Sequence, residues 1–436
     1  MEFKEACDIV LESLQKEWEK ANELDKMDRL ESEKRAIMGF EEETALFKAK
    51  IGEIVEEKDL GDAECPAWYK SIQDGIFNEI YGLAGLAPWA YDETEEYKNS
   101  SSAKLIGDKL YCLIDGVSVL QPQRITAERR EQLKRALLMA TPKERLEDGF
   151  HEVYLNNGIR ITIFSGDRTK PGQDVMVFRK YIMRDLTFEN LAELGTIPEE
   201  SIELFKLMIG MGMNVIFAGP VRSGKTTFLQ VWQKCENRKL EGLAIATDPE
   251  TDWAELMPDA PIMQLVADGK ELEEITKPLL RGDNDYVLLE EMRDGTAFNI
   301  ALEITSTGTR RSKATVHTGN AKDLPMMMAE KIRSKYGGET IDIVRRIVKN
   351  FDLVFEFRQM EDNRAVKKLV GISQYYTDPK TNRPKTARMM YYDYETGKWI
   401  WNSFLSEKFL SNEKQYPFEM GRMKEILKEL EENSRC

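Results

Sequence analysis

The chain has 436 residues, of which 42% are hydrophobic and 32% are charged, proportions typical of a soluble protein with two to four compact domains. The net charge of -15 at pH 7 argues against a surface built mainly to neutralise nucleic-acid phosphates, although it is compatible with a local basic channel. The charged N-terminus lacks the apolar core of a signal peptide, and no apolar run is long enough to span a bilayer. We therefore expect a cytoplasmic protein.

The cysteines are scattered along the chain and form no CxxC pair. This pattern argues against a zinc ribbon or a disulfide framework and favours free thiols in a reducing cytosol. The five positions are Cys7, Cys65, Cys112, Cys235 and Cys436.

The first segment, residues 1–60, is rich in Glu and Lys and lacks proline. Its apolar residues recur at helical spacing, beginning with Phe3, Cys7, Val10, Leu11 and Leu14. This spacing predicts long amphipathic helices that form an N-terminal extension. An extension without chemistry of its own is the favoured interpretation, and a helical hairpin that packs on a neighbour is the alternative.

Residues 71–184 contain patterns typical of both helices and strands. A helical stretch ends at glycines and a proline, and alternating apolar and polar residues then flank the turns "DG" at 115–116 and "NG" at 157–158. Such dipeptides between alternating runs are typical of β-hairpins. The segment predicts a small α+β domain, followed by a linker over residues 185–200.

Residues 201–406 contain several short apolar runs with helical stretches between them. The runs are "NVIFAG", "LAIAT", "APIMQLV", "DYVLLEE", "SKATVHT" and "FDLVFEFRQ". This alternation predicts a parallel α/β sheet with a nucleotide at the carboxyl ends of its strands. The charged tail, residues 407–436, is predicted to be helical.

The first of these runs leads into "GPVRSGKT" and then a helix, which is the context that a phosphate-binding loop requires. Gly219 and Gly224 allow the backbone to aim N–H groups at phosphate oxygens. Lys225 is expected to reach the β and γ phosphates, and the Thr226 hydroxyl to ligate Mg²⁺. The predicted nucleotide-binding loop comprises Gly219, Pro220, Val221, Arg222, Ser223, Gly224, Lys225, Thr226 and Thr227.

Hydrolysis of ATP also needs a carboxylate at the end of another strand. The run "DYVLLEEM" offers Glu290 and Glu291, one of which should point into the site. His317 follows a further apolar run and stands where a phosphate-sensing side chain is expected, although a lone histidine there is more often structural.

Two stretches, "AGPVRSGKTTFLQ" and "DYVLLEEMRDGTAFNIALEITSTGTRRSKATVHTGNAKD", resemble the secretion ATPase superfamily, which serves type II and type IV secretion, conjugation and pilus assembly. The upstream segments "LYCLIDGVSVL", "NNGIRITIF", "VMVFRKY" and "LTFENLAELGTI" match its N-terminal domain and linker in order. The resemblance covers residues 75–357 and is closest to the conjugation and Flp/tight-adherence pilus branch.

The resemblance implies an α/β fold with a RecA-like P-loop NTPase domain in the C-terminal half, ATP and Mg²⁺ as cofactors, and a homohexamer whose two domains close on the nucleotide. It implies that Glu291 is the catalytic glutamate, assisted by Arg293 and His317. Arg160 and Arg179 correspond to arginines that approach the terminal phosphate. The implied metal-binding set is Thr226, Glu291, Asp248 and Glu250.

The chain departs from the family pattern at several of these motifs. Thr247 stands where the family commonly has a glutamate, and Glu290 and Asp294 replace glycines on either side of the Glu291–Arg293 pair. Thr309 replaces the histidine of a Thr-Gly-His motif. The phosphate loop, the catalytic glutamate position and the histidine position are retained, and the sequence does not determine the rate of hydrolysis.

The resulting hypothesis is an ATP-hydrolysing ring motor that powers a secretion or pilus assembly machine. It would act from the cytoplasmic side, peripherally at the inner face of the cell membrane, on inner-membrane platform proteins. One alternative is a conjugative DNA-transfer motor, but the acidity and the lack of a basic, aromatic-rich stretch argue against direct nucleic-acid binding. The other is an ATP-binding assembly scaffold with little hydrolysis, suggested by the altered acidic segment around Thr247.

Overall fold

A computed structural model of the chain describes residues 1–19, 23–142, 144–182, 185–247, 249–267, 269–279 and 283–434. The chain forms two compact units, Met1–Ile182 and Met183–Cys436. The finer division predicted from the sequence, into residues 1–60, 71–184, 185–200, 201–406 and 407–436, stays a prediction, and its boundary at Arg184 lies outside the described residues.

The first unit begins with the predicted long helices. Its helices are α1 (Phe3–Glu19), α2 (Glu23–Ile37), α3 (Glu41–Glu57), α4 (Ile72–Ile80), α5 (Ala87–Ala90), α6 (Glu95–Lys98) and α7 (Ala127–Met139). Val10 and Leu14 of α1 are fully buried in a core that also contains residues of α3 and α4. The predicted amphipathic spacing is therefore confirmed, since these positions are the ones that turn inward.

The sheet of the first unit is antiparallel throughout the described residues. Its strands are β1 (Ser102–Ile106), β2 (Lys109–Ile114), β3 (Val117–Arg124), β4 (Phe150–Tyr154), β5 (Arg160–Phe164) and β6 (Val175–Arg179), in the order β3-β2-β1-β6-β5-β4. Asp115 and Gly116 both have positive φ and join β2 to β3 in a two-residue turn. Gly158 lies in the turn between β4 and β5, so both predicted hairpins are confirmed.

The helices of the second unit cover both faces of its sheet. They are α8 (Phe188–Glu193), α9 (Ile202–Gly210), α10 (Lys225–Lys234), α11 (Trp253–Leu256), α12 (Gly269–Leu279), α13 (Gly295–Ser306), α14 (Leu324–Tyr336), α15 (Thr340–Asn350), α16 (Glu407–Leu410) and α17 (Pro417–Ser434). Side chains of α9, α10 and α17 join one core, and those of α13, α14 and α15 join the other. The helical tail is confirmed, and α17 buries Met420, Met423 and Leu427.

The second unit is organised around a mixed sheet. Its strands are β7 (Val215–Ala218), β8 (Gly242–Ala246), β9 (Ile262–Val266), β10 (Tyr286–Met292), β11 (Lys313–Val316), β12 (Leu353–Gln359), β13 (Lys367–Asp378), β14 (Arg383–Asp393) and β15 (Lys398–Trp401), in the order β15-β14-β13-β12-β7-β11-β10-β8-β9. All six strands expected from the apolar runs are present and run parallel. Strands β13 to β15 extend the sheet in antiparallel fashion, and the sequence had made no prediction for them.

The strand order places three loop connections side by side. β7 lies between β11 and β12, and β10 pairs with the other side of β11. Ala218 is in register with Val316, which is in register with Met292. Because parallel strands end at the same edge of a sheet, the residues that follow β7 and β11 meet those at the end of β10.

The chain is thus mixed α/β. None of the described helices is long and apolar enough to cross a membrane. Cys7, Cys65, Cys112 and Cys235 carry free thiols, and Cys436 lies outside the described residues.

Candidate active site

The loop at residues 219–224 connects β7 to α10. Gly219, Arg222 and Gly224 all have positive φ, at 155°, 64° and 93°. A Cβ atom on Gly219 would lie 2.3 Å from the carbonyl oxygen of Phe357 on β12, so only glycine fits between the loop and this strand. The glycines of the motif thus allow the tight path that returns the chain into the N-terminus of α10.

Lys225, the first residue of α10, points back over this loop. Its Nζ donates a hydrogen bond to the carbonyl oxygen of Pro220 at 2.8 Å and lies 3.3 Å from Nδ1 of His317. Burial lowers the pKa of Lys225 to about 8, although the charges of Glu250 and Glu291 oppose the change. The ammonium group therefore links the loop after β7 to the residue after β11.

His317 joins Lys225 to a carboxylate. Its Nε2 lies 2.8 Å from Oε1 of Glu291. An ammonium can only donate, so Nδ1 accepts from Lys225, and Nε2 carries the ring proton and donates it to Glu291. The three side chains form one hydrogen-bonded line across the ends of β7, β11 and β10.

The backbone at Glu291 departs from a regular strand. Its φ is 65°, the pairing of β10 with β11 shifts register between Leu289 and Met292, and its N–H donates to Oγ1 of Thr315 at 2.7 Å. Irregularities of this kind redirect a side chain and are common beside active sites. This one brings the Glu291 carboxylate to His317.

Glu291 also forms an ion pair with Arg293. Burial alone would raise the pKa of Glu291, but the hydrogen bonds from His317 and Arg293, together with the charge of Arg293, lower it to about 2. The group is therefore a carboxylate at neutral pH.

Glu290 faces a different environment. Its Oε1 accepts a hydrogen bond from Nε1 of Trp253 at 2.5 Å, and its side chain is buried. Burial raises the pKa of Glu290 to about 7. Of the two neighbouring acids, the structure thus places Glu291, and not Glu290, in contact with His317.

Two of the predicted metal ligands, Thr226 and Glu250, meet at the N-terminal end of α10. Thr226 Oγ1 donates to Oε2 of Glu250 at 2.6 Å, and Asp248 lies outside the described residues. A hydroxyl and carboxylates beside an ammonium and a helix N-terminus are the oxygen donors and the positive field that a magnesium–phosphate group requires. The residues present therefore fit Mg²⁺ bound together with a nucleotide.

The remaining predicted loop residues shape the turn. The buried hydroxyl of Ser223 donates to the Pro220 carbonyl at 2.8 Å, and Val221 is exposed at the tip. Thr227 follows in the first turn of α10 and is half-buried.

Arg160 and Arg179 belong to the first unit. Arg160 begins β5 and Arg179 ends β6, where the two are register partners, and Arg160 forms an ion pair with Glu152 on β4. The structure brings these arginines side by side, and their approach to a nucleotide stays a prediction.

The sequence reasoning missed two residues that build the site, Thr315 and Trp253. Thr315 accepts a hydrogen bond from the Glu291 backbone across neighbouring strands, and no local sequence pattern predicts that contact. Trp253 was detectable in principle, because it is the one large apolar residue in the acidic stretch "TDPETDWAE" and such a residue is usually buried.

Strand, glycine-rich loop and helix in this order define a P-loop fold. The model of the type II/IV secretion system protein family matches residues 169–417, more than half of the chain. The chain belongs to this family, which implies nucleotide binding.

Two curated relatives support the assignment. The type IV secretion system protein VirB11 of Bartonella quintana is 28% identical over 182 residues, covering 39% of this chain and 48% of the relative. The probable conjugal transfer protein TrbB of Sinorhizobium fredii is 20% identical over 200 residues, covering 45% and 59%. The chain thus spans about half the length of the curated relatives it matches.

Among solved structures, the ATPase DotB of Legionella pneumophila is 13% identical, with 80% of this chain and 88% of that chain covered and a TM-score of 0.47.

Proposed function

We propose that the protein is an ATP-hydrolysing ring motor that powers a type II or type IV secretion or pilus assembly machine. The observation that carries the proposal is the hydrogen-bonded line from Lys225 through His317 to Glu291, set across the ends of three neighbouring strands beside the phosphate loop. Such a line connects a cation that can bind phosphate, through one histidine, to a carboxylate that can hydrogen-bond the attacking water.

ATP would bind with its phosphates in the loop at residues 219–224. Lys225 would exchange its contacts with the Pro220 carbonyl and His317 for phosphate oxygens, which are better partners for an ammonium because they are charged. The N–H groups and the dipole at the start of α10 favour the same anion. Family membership and the pattern of positive φ angles at Gly219 and Gly224 support this placement.

Thr226, Glu250 and Glu291 are the described residues that would hold Mg²⁺, together with Asp248. When bound, the ion would offset charge on the phosphate oxygens during transfer. The Thr226–Glu250 hydrogen bond keeps a hydroxyl and a carboxylate together at this point of the site.

Glu291 would orient the attacking water. A carboxylate whose pKa is about 2 is a weak base, so its task is to hold the water by hydrogen bonding and to take its proton late, as phosphoryl transfer has little need of early deprotonation. If His317 follows Lys225 toward the phosphate, the pKa of Glu291 rises, because a hydrogen bond that lowers it is lost.

The assembly is part of the proposal. A homohexamer of RecA-like domains, with Arg160 and Arg179 supplying positive charge to the terminal phosphate, would convert nucleotide binding and release into domain closure and opening. The ring would act peripherally at the inner face of the cell membrane, on inner-membrane platform proteins. The family match and the relative named as a type IV secretion system protein support this role.

The test is steady-state ATP hydrolysis and ATP affinity of the wild type and of Glu291→Gln. We expect the variant to bind ATP with unchanged affinity and to turn over roughly 1000-fold more slowly, the middle of the range for loss of a general base. Glu255→Gln, an exposed carboxylate on α11, is the matched control and should behave as the wild type. Equal inactivity of wild type and Glu291→Gln, with ATP still bound, would leave only the assembly scaffold.

A conjugative DNA-transfer motor is the second candidate, because one relative is named a probable conjugal transfer protein. Single-stranded and double-stranded DNA should be added to the ATPase assay at physiological salt. The motor we propose predicts no stimulation, and several-fold stimulation that weakens at higher salt would favour the second candidate.

A further inference from the structure

Glu290 is a buried acid that the proposed reaction does not use. It follows four buried residues of β10 and is itself 6% exposed. Its Oε1 receives the indole N–H of Trp253, a side chain that is completely buried at the start of α11. A buried indole N–H normally requires an acceptor, and Glu290 supplies it.

Trp253 is the last residue of a short segment, residues 249–253, which also forms hydrogen bonds with two glutamines. Gln230 on α10 donates through Nε2 to Oγ1 of Thr251 at 2.9 Å. Gln264 on β9 donates to the carbonyl oxygen of Thr251 at 2.6 Å, and its own Oε1 accepts from the backbone N–H of Trp253 at 3.4 Å. The segment is thus attached to α10, β9 and β10, with Glu290 as its only anchor on β10 within the described residues.

This segment carries Glu250, whose carboxylate meets the Thr226 hydroxyl at 2.6 Å. Thr226 is adjacent to Lys225 at the start of α10. A shift of the segment would therefore move Glu250 away from the place where phosphate and metal are expected.

We propose that Glu290 is a positioning residue that acts through Trp253 to hold the segment carrying Glu250 against Thr226. The inference rests on the proposed ATPase function for its purpose, but the contact itself can be tested without turnover. Among its described contacts, Glu290 meets Trp253, and it also interacts with Glu250 and Thr251 of the same segment, but with neither the phosphate loop nor His317. Its influence on Thr226 therefore passes through this segment.

The test combines three substitutions with two measurements. Trp253→Phe keeps an aromatic ring, although a smaller one, and removes the indole N–H donor. Glu290→Ala removes the acceptor, and Glu290→Gln retains an acceptor oxygen. The first measurement is amide hydrogen exchange of residues 250–256 without nucleotide. The second is the Mg²⁺ concentration that half-saturates binding of a fluorescent ATP analogue.

We expect Trp253→Phe and Glu290→Ala each to speed exchange in this segment and to raise the half-saturating Mg²⁺ concentration about tenfold, the lower range for outer partners of metal ligands. In the double variant Trp253→Phe/Glu290→Ala, the half-saturating Mg²⁺ concentration should rise no further than in the more affected single variant. The reason is that each single change already removes the same Trp253–Glu290 hydrogen bond. Glu290→Gln should stay within about twofold of the wild type, because its amide oxygen still accepts from the indole.

Trp401→Phe is the matched control. Trp401 is a buried tryptophan on β15 whose indole nitrogen has no hydrogen-bond partner in the part of the chain that the structure describes, so this change should leave both measurements unaltered. The inference is overturned if Trp253→Phe and Glu290→Ala leave the Mg²⁺ dependence unchanged, if their effects multiply, or if Glu290→Gln fails like Glu290→Ala. A wild type that binds Mg²⁺ and ATP without hydrolysing it would overturn the proposed function alone.

Discussion

The two ends of the same strands in the second unit handle buried charge in opposite ways. At the amino end of β11, Lys313 contacts Oε1 of Glu236 at 2.8 Å, and Arg311 contacts Oε2 of the same carboxylate at 2.7 Å. The side chains of Lys313 and Glu236 are 0% and 1% exposed. Every charge in this cluster meets an opposite charge from the chain itself.

At the carboxyl end, Lys225 makes no such direct contact with an opposite charge among the described residues. Among the described residues, its hydrogen bonds go to the Pro220 carbonyl and to a ring nitrogen of His317, both of them neutral. Burial lowers the pKa of both lysines to about 8, yet only Lys313 has its charge compensated by direct contact. Lys313 thus links β11 to Glu236, which follows α10, whereas the lack of a directly contacting charge at Lys225 supports its proposed role in binding an anion from solution.

Lys225→Ala tests the carboxyl end and should have the largest effect. Loss of the ammonium should weaken ATP binding on the order of 1000-fold, about 4 kcal/mol, since it removes the charged partner of buried phosphates. Calorimetric titration measures the affinity, and chemical denaturation should show an almost unchanged free energy of unfolding. Retained nucleotide binding would contradict the role of this lysine.

Lys313→Met tests the amino end, where we expect a loss of stability and no loss of ATP affinity. We expect the free energy of unfolding to fall by about 3 kcal/mol, because Glu236 loses one of its two buried partners, while the ATP affinity of the folded protein stays the same. Denaturant titration is the measurement. Combining the change with Glu236→Gln should recover part of the loss, and a loss below about 1 kcal/mol would show that Arg311 alone suffices.

His317→Ala sharpens the comparison by cutting the line between cation and carboxylate. Turnover should fall about 30-fold, in the range for a group that orients another catalytic residue, with ATP affinity changed less than about threefold. His317→Gln, whose amide can still donate to Glu291, should lose less. Equal losses for the two variants in steady-state kinetics would mean that the donor to Glu291 is unimportant.

Arg179→Ala should have the smallest effect and addresses the first unit. If this arginine offsets charge in the transition state, kcat falls about tenfold while ATP affinity changes little. Lys104→Ala, a cation on neighbouring β1, serves as the control. An unchanged kcat would count against the role assigned to Arg179.

The sequence was sufficient for the elements that rest on local patterns. The parallel strands are short apolar runs because both faces of β7 and β8 are buried, and the loop at Gly219 and Gly224 follows from backbone conformations that glycine adopts without strain. The hairpins at Asp115–Gly116 and at Gly158 belong to the same class.

What could not be predicted depends on neighbours distant in sequence. Alternation along β10 requires Glu290 and Glu291 to point apart, but the side each acid faces is decided by Thr315 and the register shift between β10 and β11. Strands β13 and β14 were overlooked because they begin with Lys367 and Arg383, and because Gly371 and Lys385 interrupt their apolar patterns. The approach of Arg160 and Arg179 to a nucleotide stays a prediction.

Under the catalytic role that we propose for Glu291, its left-handed backbone makes stability and activity competing demands at one position. A non-glycine residue in this conformation costs about 1–3 kcal/mol, and glycine would adopt it more easily than glutamate. Selection for thermal robustness alone would therefore replace Glu291 with glycine and discard the carboxylate. An acid at this position is what selection for chemistry would keep, at a continuing thermodynamic disadvantage to the fold.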